Sequence, residues 1–290
     1  MSGLTQPRQH YLAAVGAGRW HQLAYVEWGD PANPDVVVCV HGLTRCGRDF
    51  DALARALSAR YRVVCPDVIG RGRSDWLPDP AGYGYGRYLA DIALLLARID
   101  VPAVHWVGTS MGGILGMMVA AMQQAPLRSL VLNDVGSRVP LASLQFLATY
   151  VGKAPSFDTF DGITAYLSEV NASFGRLSAA QWRTLAEHTA RQDSDGRWRV
   201  RYDPAIALAL QGLTSDVDLR PLWQATRVPG LILRGANSGL LTEDIIADMQ
   251  SVRPDVQAIT FADCGHAPAL QDPAQIDAIT RFLATHPGTV

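Results

Sequence analysis

The sequence predicts a doubly wound α/β fold interrupted by one inserted unit. Three observations predict it. Short apolar runs rich in β-branched residues recur along the chain, helical stretches separate them, and the interval between Asp134 and Leu231 exceeds ninety residues. That interval is far longer than one crossover helix requires.

The runs, in order, are Val36 to Val40, Tyr61 to Cys65, Val104 to Val107, Leu130 to Leu132, Leu231 to Leu233 and Val256 to Phe261. Apolarity that is continuous rather than alternating marks strands covered on both faces, as in a parallel sheet. Ahead of them, His10 to Ala14 and Leu23 to Trp28 read as an antiparallel pair at the sheet edge. Helical periodicity runs over Phe50 to Ala59, Tyr88 to Ile99, Met111 to Gln123, Thr242 to Ser251 and Pro273 to Ala284. Residues 138–215 read as several amphipathic helices and hold nine of the 23 aromatic residues. The expected organisation is therefore an α/β core over residues 1–137 and 216–290 with a helical insert over 138–215. Aromatic side chains of the insert pack it on itself and on the core, and some are expected to face a ligand cavity.

Composition narrows the function. Hydrophobic residues make up 48% of the 290 and charged residues 18%, which excludes a disordered chain. A net charge of −2 offers no basic field for phosphate backbones, so a small-molecule partner is expected and no nucleic acid. Of 25 basic residues only Lys153 is a lysine, and its context suits neither a P-loop, a Schiff base nor a Ser/Lys dyad. Cys39, Cys46, Cys65 and Cys264 form no CxxC pair and no metal-ligand spacing with the seven histidines. No metal is expected, and the thiols read as reduced. The first twenty residues carry no apolar signal region, and no later run is long enough to span a membrane. These features predict a cytoplasmic chain with no membrane partner.

Chemistry is concentrated at three loops. After Val104 to Val107 come Gly108, Thr109, Ser110, Met111 and Gly112, then an apolar helix: G-x-S-x-G in a strand, turn and helix context. A nucleophile on so sharp a turn is held in strained backbone, and glycine neighbours let strand and helix approach closely. At the helix N-terminus Ser110 would also sit beside partial positive charge suited to an oxyanion. The alternative is a glycine-rich turn with a capping serine. A second loop opens with His41, Gly42 and Leu43 after Val36 to Val40, and the amides of Leu43 and Met111 are the candidate oxyanion donors. His41, beside the strand end, is expected to orient that loop rather than act as a base. In the third loop, Asp263 to Pro268, His266 is the candidate general base.

Together His41 and Gly42, the run Asp67, Gly70, Gly72 and Ser74, the Ser110 elbow, Asn133 to Val135, and Gly265 to Pro268 resemble the α/β-hydrolase family with a helical cap. The resemblance spans the chain from the edge hairpin to the last helix. It implies an eight-stranded, mostly parallel sheet and a Ser, acid, His triad working without a cofactor. A dinucleotide site at Gly70 and Gly72 is excluded because the third glycine and its βα context are missing.

The sequence departs from the family at the acid. Where many relatives carry Ser-Asp-Leu-Leu after an Arg-Gly pair, this chain has Arg234, Gly235, then Ser238, Gly239, Leu240 and Leu241. In one account Asp134, just past the preceding strand, supplies the carboxylate, with Glu243 and Asp244 as helical fallbacks. In the other no acid orients His266, and the protein is a catalytically weakened ligand-binding relative. The leading expectation is a serine hydrolase cleaving carboxylic esters of a small or medium, largely apolar substrate through Ser110, His266 and Asp134. Lactonase, C–C hydrolase, perhydrolase and acyltransferase chemistry use the same machinery.

Overall fold

A computed structural model describes residues 6–16 and 18–287. In chain order the first strands and helices are β1 (Arg8–Gly16), β2 (Arg19–Trp28), β3 (Val36–Val40), α1 (Asp51–Leu57), β4 (Arg62–Pro66), α2 (Tyr85–Ile99), β5 (Val104–Thr109), α3 (Met111–Ala120) and β6 (Leu127–Asn133). The middle of the chain contributes β7 (Arg138–Val139), α4 (Leu141–Ala148), β8 (Ser156–Phe157), α5 (Phe160–Val170), α6 (Ala179–Thr189), β9 (Ala190–Gln192), β10 (Trp198–Val200) and β11 (Val217–Asp218). The chain ends with α7 (Arg220–Ala225), β12 (Gly230–Gly235), α8 (Glu243–Val252), β13 (Gln257–Phe261) and α9 (Pro273–Ala284).

Eight strands form one sheet in the order β1-β2-β4-β3-β5-β6-β12-β13. The β1–β2 and β2–β4 pairs are antiparallel and every other pair is parallel. Each strand and helix expected of the core is present, with ends moved by a few residues. In β3 every residue is buried, and its side chains divide between two cores. Val36, Val38 and Val40 meet the cluster that α2, α3 and α8 cover, through Leu95, Leu115 and Ile245 among others. Val37 and Cys39 meet the opposite cluster, covered by α1 and α9 through Leu53, Leu57, Ile279 and Leu283. The two covered faces explain the unbroken apolarity of the strands, since neither face meets water.

Residues 138–215 are richer than the expected run of helices. Helices α4, α5 and α6 are joined by a three-stranded antiparallel sheet in the order β8-β10-β9. Its strands are two or three residues long, too short to show a period of two, so no pattern announced them. At the base of the unit, Arg138 pairs with Asp218 and Val139 with Val217, which brings its entry and exit together. Phe160 packs on Trp198 at 4.9 Å and Phe157 on Tyr166 at 5.3 Å, so these four aromatics build the unit itself. Helix α4 differs: although mostly apolar, it buries none of its residues.

Candidate active site

Five parallel strands, β3, β5, β6, β12 and β13, deliver residues to one spot at their carboxyl ends, where open α/β sheets gather ligand sites. Ser110 follows β5, with φ 52° and ψ −116°. A non-glycine residue in that region stores roughly 1–3 kcal/mol of strain, held here by surrounding bonds. Its amide donates to the Asn133 carbonyl at 3.0 Å, and its own carbonyl accepts from Gly113 and Ile114. The flanking glycines are sterically required: a Cβ at Gly108 would collide with the Gly112 carbonyl, and one at Gly112 with the Val40 carbonyl. Strand β5, helix α3 and strand β3 therefore close on Ser110 from three sides.

His266, beyond β13, places Nε2 3.0 Å from Ser110 Oγ. Its Nδ1 lies 2.8 Å from Asp134 Oδ2. The carboxylate accepts only, so Nδ1 carries the proton and Nε2 is left with a lone pair toward the serine hydroxyl. Asp134 follows β6 with φ 56° and is 0% exposed. Its Oδ1 accepts from the Gly235 amide at 2.8 Å, and its Oδ2 accepts additionally from the Ser238 hydroxyl at 2.5 Å. Ser238 is thus a residue of the site that sequence reading used only to frame the missing acid. Nothing in its spacing signals the role, because its partner lies 104 positions away.

Gly239 is exposed, and a Cβ built there meets nothing within 4 Å. Glu243 and Asp244 open α8 and turn to Arg234 and Arg138, away from His266. Among the described residues, Asp134 is the carboxylate bonded to the imidazole.

The turn after β3 abuts Ser110, since a Cβ on Gly42 would lie 3.7 Å from that of Ser110. Leu43 and Ser110 line one cavity, and Met111 immediately follows the serine. Among the described residues neither the Leu43 nor the Met111 amide is engaged by an acceptor in the protein, which leaves both donors available. His41 is buried: its Nδ1–H donates to the Gly42 carbonyl at 2.7 Å, and its Nε2 accepts the Val68 amide at 2.9 Å. Burial drops its pKa to about 3, so it stays neutral and both ring nitrogens are occupied in holding the turn. Asp67 accepts the Gly47 and Arg73 amides, and burial raises its pKa to about 6. It stitches neighbouring loops and does not reach the serine.

The cavity above Ser110 and His266 measures about 390 Å³. Phe146, Leu147 and Tyr150, on α4 and just past it, and Phe174 supply much of its apolar wall; Ser143, Asn171 and Asn237 add polar groups. Among the described residues no cluster of three metal-ligating side chains occurs, and no helix is long and apolar enough to cross a membrane.

Residues 35–273 match the family described as the alpha/beta hydrolase fold. The chain belongs to that family. Among curated proteins, this α/β-hydrolase is 43% identical over 286 residues to the 3-hydroxybutyrate-oligomer hydrolase of Cupriavidus necator, covering 96% of this chain and 98% of that protein. It is 28% identical to the N-formylmaleamate deformylase of Pseudomonas putida, over 89% of this chain and 86% of that one. Among solved structures, an alpha/beta hydrolase from Novosphingobium aromaticivorans superimposes with a TM-score of 0.87 at 36% identity, covering 97% of this chain and 99% of that chain. The α/β-hydrolase described here is accordingly an enzyme of the hydrolase class.

Proposed function

We propose that the enzyme hydrolyses carboxylic esters through an acyl-enzyme on Ser110, and that its substrates are short esters of the 3-hydroxybutyrate type. One observation carries the chemistry: His266 bridges Ser110 Oγ and Asp134 Oδ2 at 3.0 and 2.8 Å, from positions 156 and 132 residues away in sequence. As Ser110 Oγ attacks the ester carbonyl, His266 Nε2 takes its proton, and buried Asp134 supports the imidazolium. The Leu43 and Met111 amides hold the developing oxyanion. The proton passes to the departing alkoxide. Water, deprotonated by His266, then attacks the acyl carbon and releases the acid and the serine.

The substrate rests on likeness to the Cupriavidus necator hydrolase and on the cavity. Its apolar wall suits methyl-branched four-carbon units, and Ser143, Asn171 and Asn237 offer partners for a terminal hydroxyl and further ester oxygens. The ligand-binding alternative drew on the missing carboxylate at position 239, and Asp134 beside His266 supports the enzyme reading over it. The four cysteines are free thiols, in keeping with the cytoplasmic location that belongs to this reading.

Two measurements test the proposal. A fluorophosphonate should label the wild type stoichiometrically and Ser110→Ala not at all; labelling that survives the substitution would overturn the nucleophile. Release of 3-hydroxybutyrate from its linear dimer should exceed hydrolysis of methyl butyrate at least tenfold in kcat/KM. Equal rates would leave the esterase and remove the substrate.

A further inference from the structure

Behind the oxyanion turn lies an arginine that the mechanism does not yet use. Arg71 is 0% exposed, and among the described residues it has no carboxylate partner. A guanidinium is charged at any ordinary pH, and burying an unpaired charge is strongly unfavourable, whereas an apolar side chain of similar volume would avoid that cost. The charge is instead spread over neutral groups. Its Nε donates to the Leu43 carbonyl at 2.8 Å, and Nη1 donates to the Ile69 carbonyl at 2.8 Å and the Tyr88 hydroxyl at 2.9 Å. Nη2 reaches the Met111 thioether at 3.8 Å, and the Tyr88 ring lies 4.9 Å from the guanidinium carbon.

The two residues at opposite edges of that fan, Leu43 and Met111, are those whose amides the proposed mechanism assigns to the oxyanion. The loop that carries Arg71 is fixed by its own main chain. The Gly70 carbonyl accepts the Asp203 amide, the Gly72 amide donates to the Arg201 carbonyl, and Arg71 bridges Tyr202. Attachment of the loop to residues 201–203 is thus a backbone matter, and the side chain points the other way, to the donors.

We propose that Arg71 is the positioning residue of the oxyanion hole. By holding the Leu43 carbonyl it sets that residue's peptide planes, by packing on Met111 it fixes the second donor relative to the first, and its buried charge lies behind both amides. Fixed donors and fixed charge favour a tetrahedral oxyanion over a planar ester. The inference rests on the acyl-enzyme reading, and its test separates the two.

The probes are 4-methylumbelliferyl butyrate as substrate, a short-chain trifluoromethyl ketone that forms a tetrahedral adduct with the serine, and the matching alkyl ether as a neutral ligand that lacks the carbonyl and forms no adduct. Wild type should bind the ketone far more tightly than the ether; failure to do so would remove the acyl-enzyme reading itself. Given that difference, Arg71→Met should lower kcat about 100-fold, the scale of losing one oxyanion donor. Ketone affinity should fall in parallel, with KM and ether affinity changed less than threefold. Arg71→Lys keeps the charge but loses the Nε–H bond to the Leu43 carbonyl, and should lose about tenfold in kcat. Should Arg71→Met not fold, Arg71→Lys decides alone by the same ketone-to-ether ratio. A folded variant whose ketone and ether affinities fall equally, or not at all, would overturn the inference and make Arg71 a packing residue.

Discussion

Two loops leave neighbouring strands beside His266, and they are built in opposite ways. The loop after β6 presents Asp134, wholly buried, with left-handed backbone and a carboxylate that accepts from Gly235, Ser238 and His266. The loop after β12 presents Gly239 to open space at the rim of the cavity. On the proposed mechanism, the difference means that the acid's place is set by where donors converge, rather than by which strand end carries it. Burying a carboxylate is unfavourable unless hydrogen bonds replace its water, and the β12 loop supplies them from Gly235 and Ser238. In this chain the β12 loop thus gives the donors and the β6 loop gives the charge.

The largest break of that comparison is Asp134→Asn. The amide preserves shape but would present its NH₂ to donors or favour the wrong imidazole tautomer, and kcat should fall about 10⁴-fold, or roughly 5.5 kcal/mol of barrier. Circular dichroism should be unchanged, and steady-state ester hydrolysis measures the loss. A fall of less than tenfold would remove Asp134 from the triad.

Next comes Ser238→Ala, which acts on the donor side. It removes the hydroxyl on Oδ2 and the acceptor that the Leu240 and Leu241 amides share. A hydrogen bond to a buried charge contributes about 1.5–3 kcal/mol, while Gly235 and His266 still hold the carboxylate. Activity should drop about tenfold, and the melting temperature should fall by several degrees. A melting temperature lowered without any loss of kcat would confine Ser238 to loop structure.

Much of this was legible in the chain, and the reason is local. The Ser110 elbow, the strand-end position of His266 and the His41 turn each depend on neighbours within a few residues, so their patterns survive in one dimension. The covered strands were legible because burial on both faces leaves no polar alternation, as β3 shows. The carboxylate beside His266 was only half legible: Asp134 and Gly239 were both visible, but the bonds that place Asp134 span about a hundred positions. Arg71 stood unmarked between Gly70 and Gly72, because its partners Leu43 and Met111 arrive from other loops. The small β8-β10-β9 sheet was hidden by strands shorter than any period.

A smaller effect is expected where the cavity wall changes from sheet to cap. The floor around Asp134 is fully enclosed, whereas α4 buries none of its residues and leaves Phe146 64% exposed at the cavity. On the proposed reading, an apolar ring in that position gains its burial from bound substrate more than from the fold. Phe146→Ala should therefore leave stability within about 0.5 kcal/mol. It should raise KM about tenfold, on the scale of burying part of a phenyl ring, with kcat nearly unchanged. A kcat loss larger than the KM change would mean that α4 supports the chemistry and not only the ligand.

The smallest expected effect is the sharpest test of the contrast between the two loops. Gly239 has no backbone conformation reserved for glycine, and a methyl group placed there touches nothing within 4 Å. Its carbonyl, which accepts the Ser143 hydroxyl at 3.0 Å, would be unaffected. Replacing glycine by alanine at such a site restricts the unfolded chain and stabilises by about 0.4–1 kcal/mol. Gly239→Ala should accordingly raise the melting temperature slightly, with kcat/KM for small esters within a factor of two of wild type. A substantial loss of turnover would show that the β12 loop does more than donate hydrogen bonds to Asp134. The division of labour between the two strand ends would then fail, even with the triad intact.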